Sequence, residues 1–316
     1  MKQFMKDSAA PVRAAVVTGF LVLLGIVPLA AQARPMEIED QYRIKRVGGA
    51  QVSPDGEWVA YTVSTTNLVK DQTKTQIWMV SIGGGDPIPL SMSGESVSGP
   101  KWSPDGKYLS FTASRGDEAK SQVWVLDRRG GEAQALTDVE QGVGGYEWSP
   151  DGSKLVLTIR DADTTAASGE GDGGRKVQKP WVVTRLQTKR DGQGYLTDTR
   201  KTHLYVFDLK TKKLTQITSG PWDEGSPAWS PDGSKIAFSS NRTEDPDANS
   251  NSDIWVVSAN NTDKGGTLVR ITDYEGGDGG PAWSPDGKWI AYTTGLNDPR
   301  FGAFETSHLA IRASDG

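Results

Sequence analysis

The chain has 316 residues, a net charge of −5, 37 glycines, 11 tryptophans and no cysteine. The acidic balance argues against nucleic acid or an anionic membrane as partner, and the missing cysteines exclude disulfides, thiolate metal sites and a cysteine nucleophile. Abundant glycine and tryptophan with moderate aliphatic content point to short strands and tight turns rather than helices.

In chain order, Lys2, Lys6 and Arg13 precede an apolar run from Ala14 to Ala30, and Ala31-Gln32-Ala33 has the small-x-small form of a signal-peptidase site. Residues 1–33 are therefore expected to be a signal peptide, with an uncleaved anchor as the competing reading. Cleavage leaves a mature chain of net charge −7, expected to be periplasmic or secreted and free of the membrane. A lead-in over 34–48 follows, where Ile38, Tyr42, Ile44 and Val47 suit a short helix or an entering strand.

The β-propeller expected over 49–316 rests on one repeated phrase. Val52-Ser53-Pro54-Asp55-Gly56 returns, with tryptophan in front, at Trp102–Gly106, Trp148–Gly152, Trp229–Gly233 and Trp283–Gly287. Proline presets φ for a type I turn, aspartate suits the next place, and glycine supplies the left-handed residue that returns the chain to the sheet. Its serines are spaced 50, 46, 81 and 54 residues apart. An apolar strand follows each turn, then a second strand such as Gln76–Val80 or Asp253–Val257. A third ends in Leu90-Ser91, Leu136-Thr137, Ile217-Thr218 or Ile271-Thr272, always 13 residues before the next turn serine. One strand before the turn and three after it make a four-stranded blade, and repeated blades make a propeller. The predicted blades run over about 49–93, 94–137, 138–218, 219–272 and 273–316, the last of them incomplete. Tryptophans recurring at matching places are expected to pack between blades rather than to cage a ligand.

The third blade carries an insert over 161–200. Its first part, Asp161–Gly174, reads as a loop; its second, Lys179–Tyr195, reads as a hairpin with an Asp-Gly turn and a basic patch in an acidic protein. Arg185, Arg190 and Tyr195 are the candidate substrate-facing residues, because an insert on a regular scaffold is a common place for function; a decorative hairpin on the outer rim is the alternative.

Catalytic machinery is not found. No G-x-S-x-G occurs, and the two histidines, His203 and His308, align with Gln76, Gln122 and Asp253 as polar residues at strand edges rather than as general bases. Glu244–Asp253 offers oxygen ligands that calcium accepts but lacks the EF-hand order, so a solvated loop is expected. No catalytic residue, cofactor or metal ligand is assigned.

Three further stretches carry a resemblance. Asp40–Val47 running into Val52–Tyr61, Lys189–Leu196 followed by His203–Val206, and Ser239–Asp247 with Asn251–Trp255 resemble prolyl oligopeptidase family serine peptidases of the acylaminoacyl-peptidase and dipeptidyl-aminopeptidase-like branch. That resemblance implies a propeller that gates short peptides for a C-terminal α/β-hydrolase domain carrying Ser, Asp and His. The chain departs from the pattern by ending inside the propeller, so it is expected to be a fragment, inactive alone. A TolB-like periplasmic protein-binding propeller is the alternative, opposed by the short stretch between Arg34 and the first turn.

Overall fold

The computed structural model describes residues 34–91, 96–116, 120–162, 186–191, 194–196, 198–295 and 306–316. The described residues 34–41 belong to a unit separate from the rest, in which Asp40 accepts hydrogen bonds from the Arg34 guanidinium at 2.6 and 2.7 Å. The second unit runs from Tyr42 to Gly316. One helical turn, α1 (Asp40–Arg43), precedes the strands.

The sheets come in chain order. The first holds β1 (Arg46–Val52), β2 (Trp58–Asn67), β3 (Gln72–Ser81) and β4 (Ile88–Pro89). The second holds β5 (Val97–Trp102), β6 (Tyr108–Ala113), β7 (Gln122–Asp127) and β8 (Gln134–Ala135). In the third, β9 (Gly145–Trp148) and β10 (Lys154–Arg160) precede a two-stranded hairpin, β11 (Lys189–Arg190) and β12 (Gly194–Tyr195), before β13 (Thr202–Asp208) and β14 (Leu214–Gln216). The fourth is β15 (Glu224–Trp229), β16 (Lys235–Ser240), β17 (Asp253–Ser258) and β18 (Val269–Arg270); the fifth has β19 (Asp278–Trp283), β20 (Trp289–Gly295) and β21 (Ser307–Ala313). All pairings are antiparallel, and the fold is the all-β propeller architecture expected. Pairing begins at Arg46, which already faces Ser64, three residues before the expected propeller boundary.

The core lies between successive sheets. Ile77 and Met79 of the first pack with Trp102, Leu109 and Phe111 of the second. Val123 meets Tyr146, Leu155 and Leu157, then Val156 and Leu204 meet Trp229, Ile236 and Phe238. Ala237 and Ile254 close the series against Ile290. Side chains of this size stabilise by about 1.5–3 kcal/mol each when fully buried. Tryptophan adds polar fixing: the indole N–H of Trp102, Trp229 and Trp283 donates to the carbonyl of Gln51, Glu147 and Ala228 in the preceding sheet, at 3.0–3.2 Å. Trp148 reaches the Ser110 hydroxyl at 2.8 Å instead. The expected packing role of these residues is therefore observed.

The repeated turn is a small hydrogen-bonded unit. In each copy the serine hydroxyl donates to the aspartate, at 2.6 Å in the last four, and accepts the backbone N–H five residues on, at 2.9–3.0 Å. The glycines sit at φ between 68 and 73°, where a side chain is strained. The Ser/Thr ending each third strand has an equally fixed task. Ser91, Thr137, Thr218 and Thr272 accept the N–H of Ile77, Val123, Leu204 and Ile254 at 2.8–2.9 Å, tying the outer strand to the second. One feature was not expected: β1, β5, β15 and β19 each carry a bulge around a left-handed residue, Gly49, Gly99, Ser226 and Gly280.

Apolar side chains remain exposed on the first and fifth sheets. Val47 and Val52 of β1 are 68% and 59% exposed, and Leu309 and Ile311 of β21 are 80% and 66% exposed.

Candidate functional site

The third and fourth sheets differ from the others where they meet. Six residues before the turn serine, the first three sheets carry Val47, Val97 and Val143; the fourth carries Glu224. Its carboxylate is fully buried and meets three partners. His203 Nδ1 lies 2.7 Å from Oε2, the Thr218 hydroxyl donates to Oε2 at 3.1 Å, and Arg242 Nη2 donates to Oε1 at 2.6 Å. The Arg242 guanidinium lies 4.7 Å from the Trp222 ring and 5.4 Å from the Trp255 ring, a cation–π arrangement on both. Burial holds the Arg242 pKa below its ordinary value despite the attraction of Glu224. Burial also opposes the charged form of His203, but Glu224, Asp161 and Asp223 outweigh it and leave its pKa raised.

His203 aligns as expected with the other second-strand positions, since it pairs with Ile159 as Gln122 pairs with Ala113 and Asp253 with Ser240. It is not a solvated edge residue. It is only 2% exposed, because Glu224 from the next sheet closes over it, and its Nε2 lies 3.5 Å from Asp161. Both ring nitrogens are engaged, so the imidazole is not open to a substrate. His308 is exposed on β21.

Above this network opens a cavity of about 770 Å³ whose walls include Leu186, Lys201, Trp222, Asp223, Asn241, Asp245 and Asp247. From the insert, Leu186 and Thr199 line it. At the insert's base Asp161 N donates to Lys201 O at 2.8 Å, and the Asp161 carboxylate accepts Lys201 N at 3.1 Å. At its far side the Asp247 carboxylate accepts the backbone N–H of Leu186 and, at 3.2 Å, of Gln187. The hairpin follows directly, Lys189 pairing with Tyr195 and Arg190 with Gly194. Of the candidate insert residues, Arg185 lies outside the described residues, as do 163–174 of the expected loop. Arg190 and Tyr195 are described only through their backbone pairing on the hairpin.

Side-chain amides cross-link the loop over 241–252. Asn241 Nδ2 donates to Asn249 Oδ1 at 2.8 Å, and Asn249 Oδ1 accepts Asn251 N at 2.9 Å. Among the described residues no three acidic or histidine side chains converge as a metal set. What the arrangement offers is polar recognition: hydroxyl, amide and carboxylate groups around an indole, in a space suited to a small or extended ligand. Sequence reasoning missed Glu224, Arg242, Trp222 and Asp247. Two of them had a signal: Glu224 as the acid that breaks a run of valines, and Arg242 by its register with Arg115.

Residues 194–297 match the family model described as the TolB β-propeller domain. Over 226 residues, 69% of this chain, the sequence is 33% identical to an uncharacterized peptidase, YuxL, of Bacillus subtilis, of which it covers 33%. It is 27% identical over 285 residues, 83% of this chain, to dipeptidyl-peptidase 5 of Porphyromonas endodontalis, of which it covers 39%. The chain thus spans between a third and two fifths of these curated relatives. Among solved structures, the Pyrococcus horikoshii acylaminoacyl peptidase shares the fold with a TM-score of 0.60 at 17% identity, over 86% of this chain and 40% of that one. No described helix is long and apolar enough to cross a membrane. With relatives named as peptidases and a matched TolB β-propeller model, the sequence resembles the β-propeller portion of prolyl oligopeptidase family peptidases.

Proposed function

We propose that this propeller screens short peptides for an exported serine peptidase, periplasmic or secreted, whose nucleophile comes from a hydrolase segment outside these 316 residues. The observation that carries the reading is the polar cavity on the third and fourth sheets, walled by an insert that Asp247 ties down. Such a wall admits narrow, extended chains and excludes folded ones. The match to a TolB propeller model would equally suit a protein-binding role, but the sequence likeness to two peptidases extends well beyond the matched residues 194–297.

Two measurements test this. The pure chain should not turn over a chromogenic dipeptide, and the coding sequence beyond Gly316 should run into a segment carrying G-x-S-x-G; turnover by the pure chain, or a reading frame without that segment, overturns the proposal. In the longer protein, Asp247→Ala should raise kcat/KM for long peptides relative to dipeptides by loosening the wall. An unchanged ratio would remove the insert from the gate.

A further inference from the structure

The first sheet has a hairpin unlike the others. Strands β2 and β3 are ten residues long, against six or seven for their counterparts in the other sheets. The extra length stays paired out to Asn67 and Gln72, and the turn between them is fixed by Asn67 Oδ1 accepting Lys70 N at 3.1 Å. This extension and the segment from Tyr42 to Lys45 wall a cavity of about 740 Å³.

Its charge is opposite to that of the protein. The lining holds Arg43, Lys45, Lys70 and Lys74 and no carboxylate, in a chain with 40 acidic and 35 basic residues. Lys45 and Lys70 are exposed, and no described carboxylate pairs with either. They stand on separate elements, beside Ile44 and Leu68, which are 56% and 52% exposed. Lys45 and Lys70 on one concavity raise the local potential for an anion. Cations on two elements, in a lining that also holds exposed aliphatic side chains, match several spaced carboxylates on aliphatic stems better than a single compact anion. A concave wall also receives a chain more readily than a flat bilayer.

We propose that this cavity binds an acidic peptide segment, with Lys45 and Lys70 reading its carboxylates and Ile44 and Leu68 covering its methylenes. The site lies on the first sheet, apart from the cavity on the third and fourth, and does not depend on the peptidase reading.

The test uses the full chain and a fluorescein-labelled hexaglutamate peptide followed by fluorescence anisotropy at low salt. Wild type should bind it, more weakly as salt is added, and the double variant Lys45→Glu, Lys70→Glu should weaken binding by at least about tenfold. The neutral pair Lys45→Gln, Lys70→Gln should give an intermediate loss, which separates charge from any folding defect. Reversing Lys210 and Lys213, exposed lysines between β13 and β14, should leave binding unchanged. Equal affinity for hexalysine, equal loss in the Lys210 and Lys213 control, or no binding by wild type overturns the proposal. So does sedimentation with phosphatidylglycerol vesicles that Lys45 and Lys70 control while hexaglutamate goes unbound, since that assigns the patch to a bilayer.

Discussion

The junction of the third and fourth sheets and the junction of the fourth and fifth use the same backbone places for opposite chemistry. Glu224 and Asp278 both open the first strand of their sheet; His203 and Asp253 both sit on the third strand of the preceding sheet, β13 and β17, beside Thr218 and Thr272. At the first junction the carboxylate is satisfied by imidazole, hydroxyl and guanidinium. At the second, Arg270 Nη2 goes to Asp253 at 2.7 Å, and both carboxylate oxygens of Asp278 are buried with no hydrogen-bond partner. A repeat fixes where a side chain points. The neighbours decide whether its charge is supported.

The sharpest way to break the comparison is one substitution made twice. Valine is the residue of the first three sheets at this place, so Glu224→Val and Asp278→Val restore the repeat. Glu224→Val should cost about 3–5 kcal/mol, because it strands the buried Arg242 and His203 charges. Asp278→Val should stabilise by about 1–3 kcal/mol, because it removes an unsupported buried carboxylate. Chemical denaturation reads both. Equal signs would show that the two acids sit in equivalent surroundings after all.

A smaller effect separates the junctions by pH. Burial raises the Asp253 pKa above 3.8 against the pull of Arg270, and nearby Asp278 adds to the rise. His203 is also raised, above 6.5, by carboxylates that outweigh burial. Groups raised in the folded state contribute most below their unfolded pKa and lose that contribution as pH rises through the folded one. The fourth-fifth junction should therefore weaken as pH climbs from about 4, and the third-fourth junction as it climbs from about 6.5. Melting temperature against pH should show both declines, with Asp253→Asn removing the first and His203→Gln the second. A His203→Gln profile that keeps the neutral-range decline would assign that decline to another group.

Much of this fold was legible because turn chemistry is local. Pro54, Asp55 and Gly56 declare their turn within three residues, and the offsets to Ser91, Thr137, Thr218 and Thr272 expose the third strand before its hydrogen bonds are seen. The candidate site was less legible because its partners come from different sheets. His203 and Glu224 are 21 residues apart, and only the stacking of sheets brings them to 2.7 Å. Arg242 could have been located by register: it lies 12 residues after its turn serine, as Arg115 does, and Arg115 lies 4.0 Å from the Trp124 ring much as Arg242 lies near Trp255. The insert followed no repeat, so nothing in the register could say that Asp247 holds its backbone.

The smallest expected effect concerns the bulges of the same two junctions. Gly280 in β19 has φ 60°, as Gly49 and Gly99 have φ 59°, but β15 places Ser226 there at φ 50°. A residue with a Cβ in this region crowds the following carbonyl, at roughly 1–2 kcal/mol. Ser226→Gly relieves that crowding while adding freedom to the unfolded chain, which offsets about 0.4–1 kcal/mol of the gain. The net should be a stabilisation of up to about 1 kcal/mol, with Gly280→Ser losing a similar amount at the other junction. Denaturant midpoints at constant m-value resolve changes of this size. If Ser226→Gly lowers stability, the serine is held by something its backbone does not reveal, and the bulge of β15 belongs to the site rather than to the scaffold.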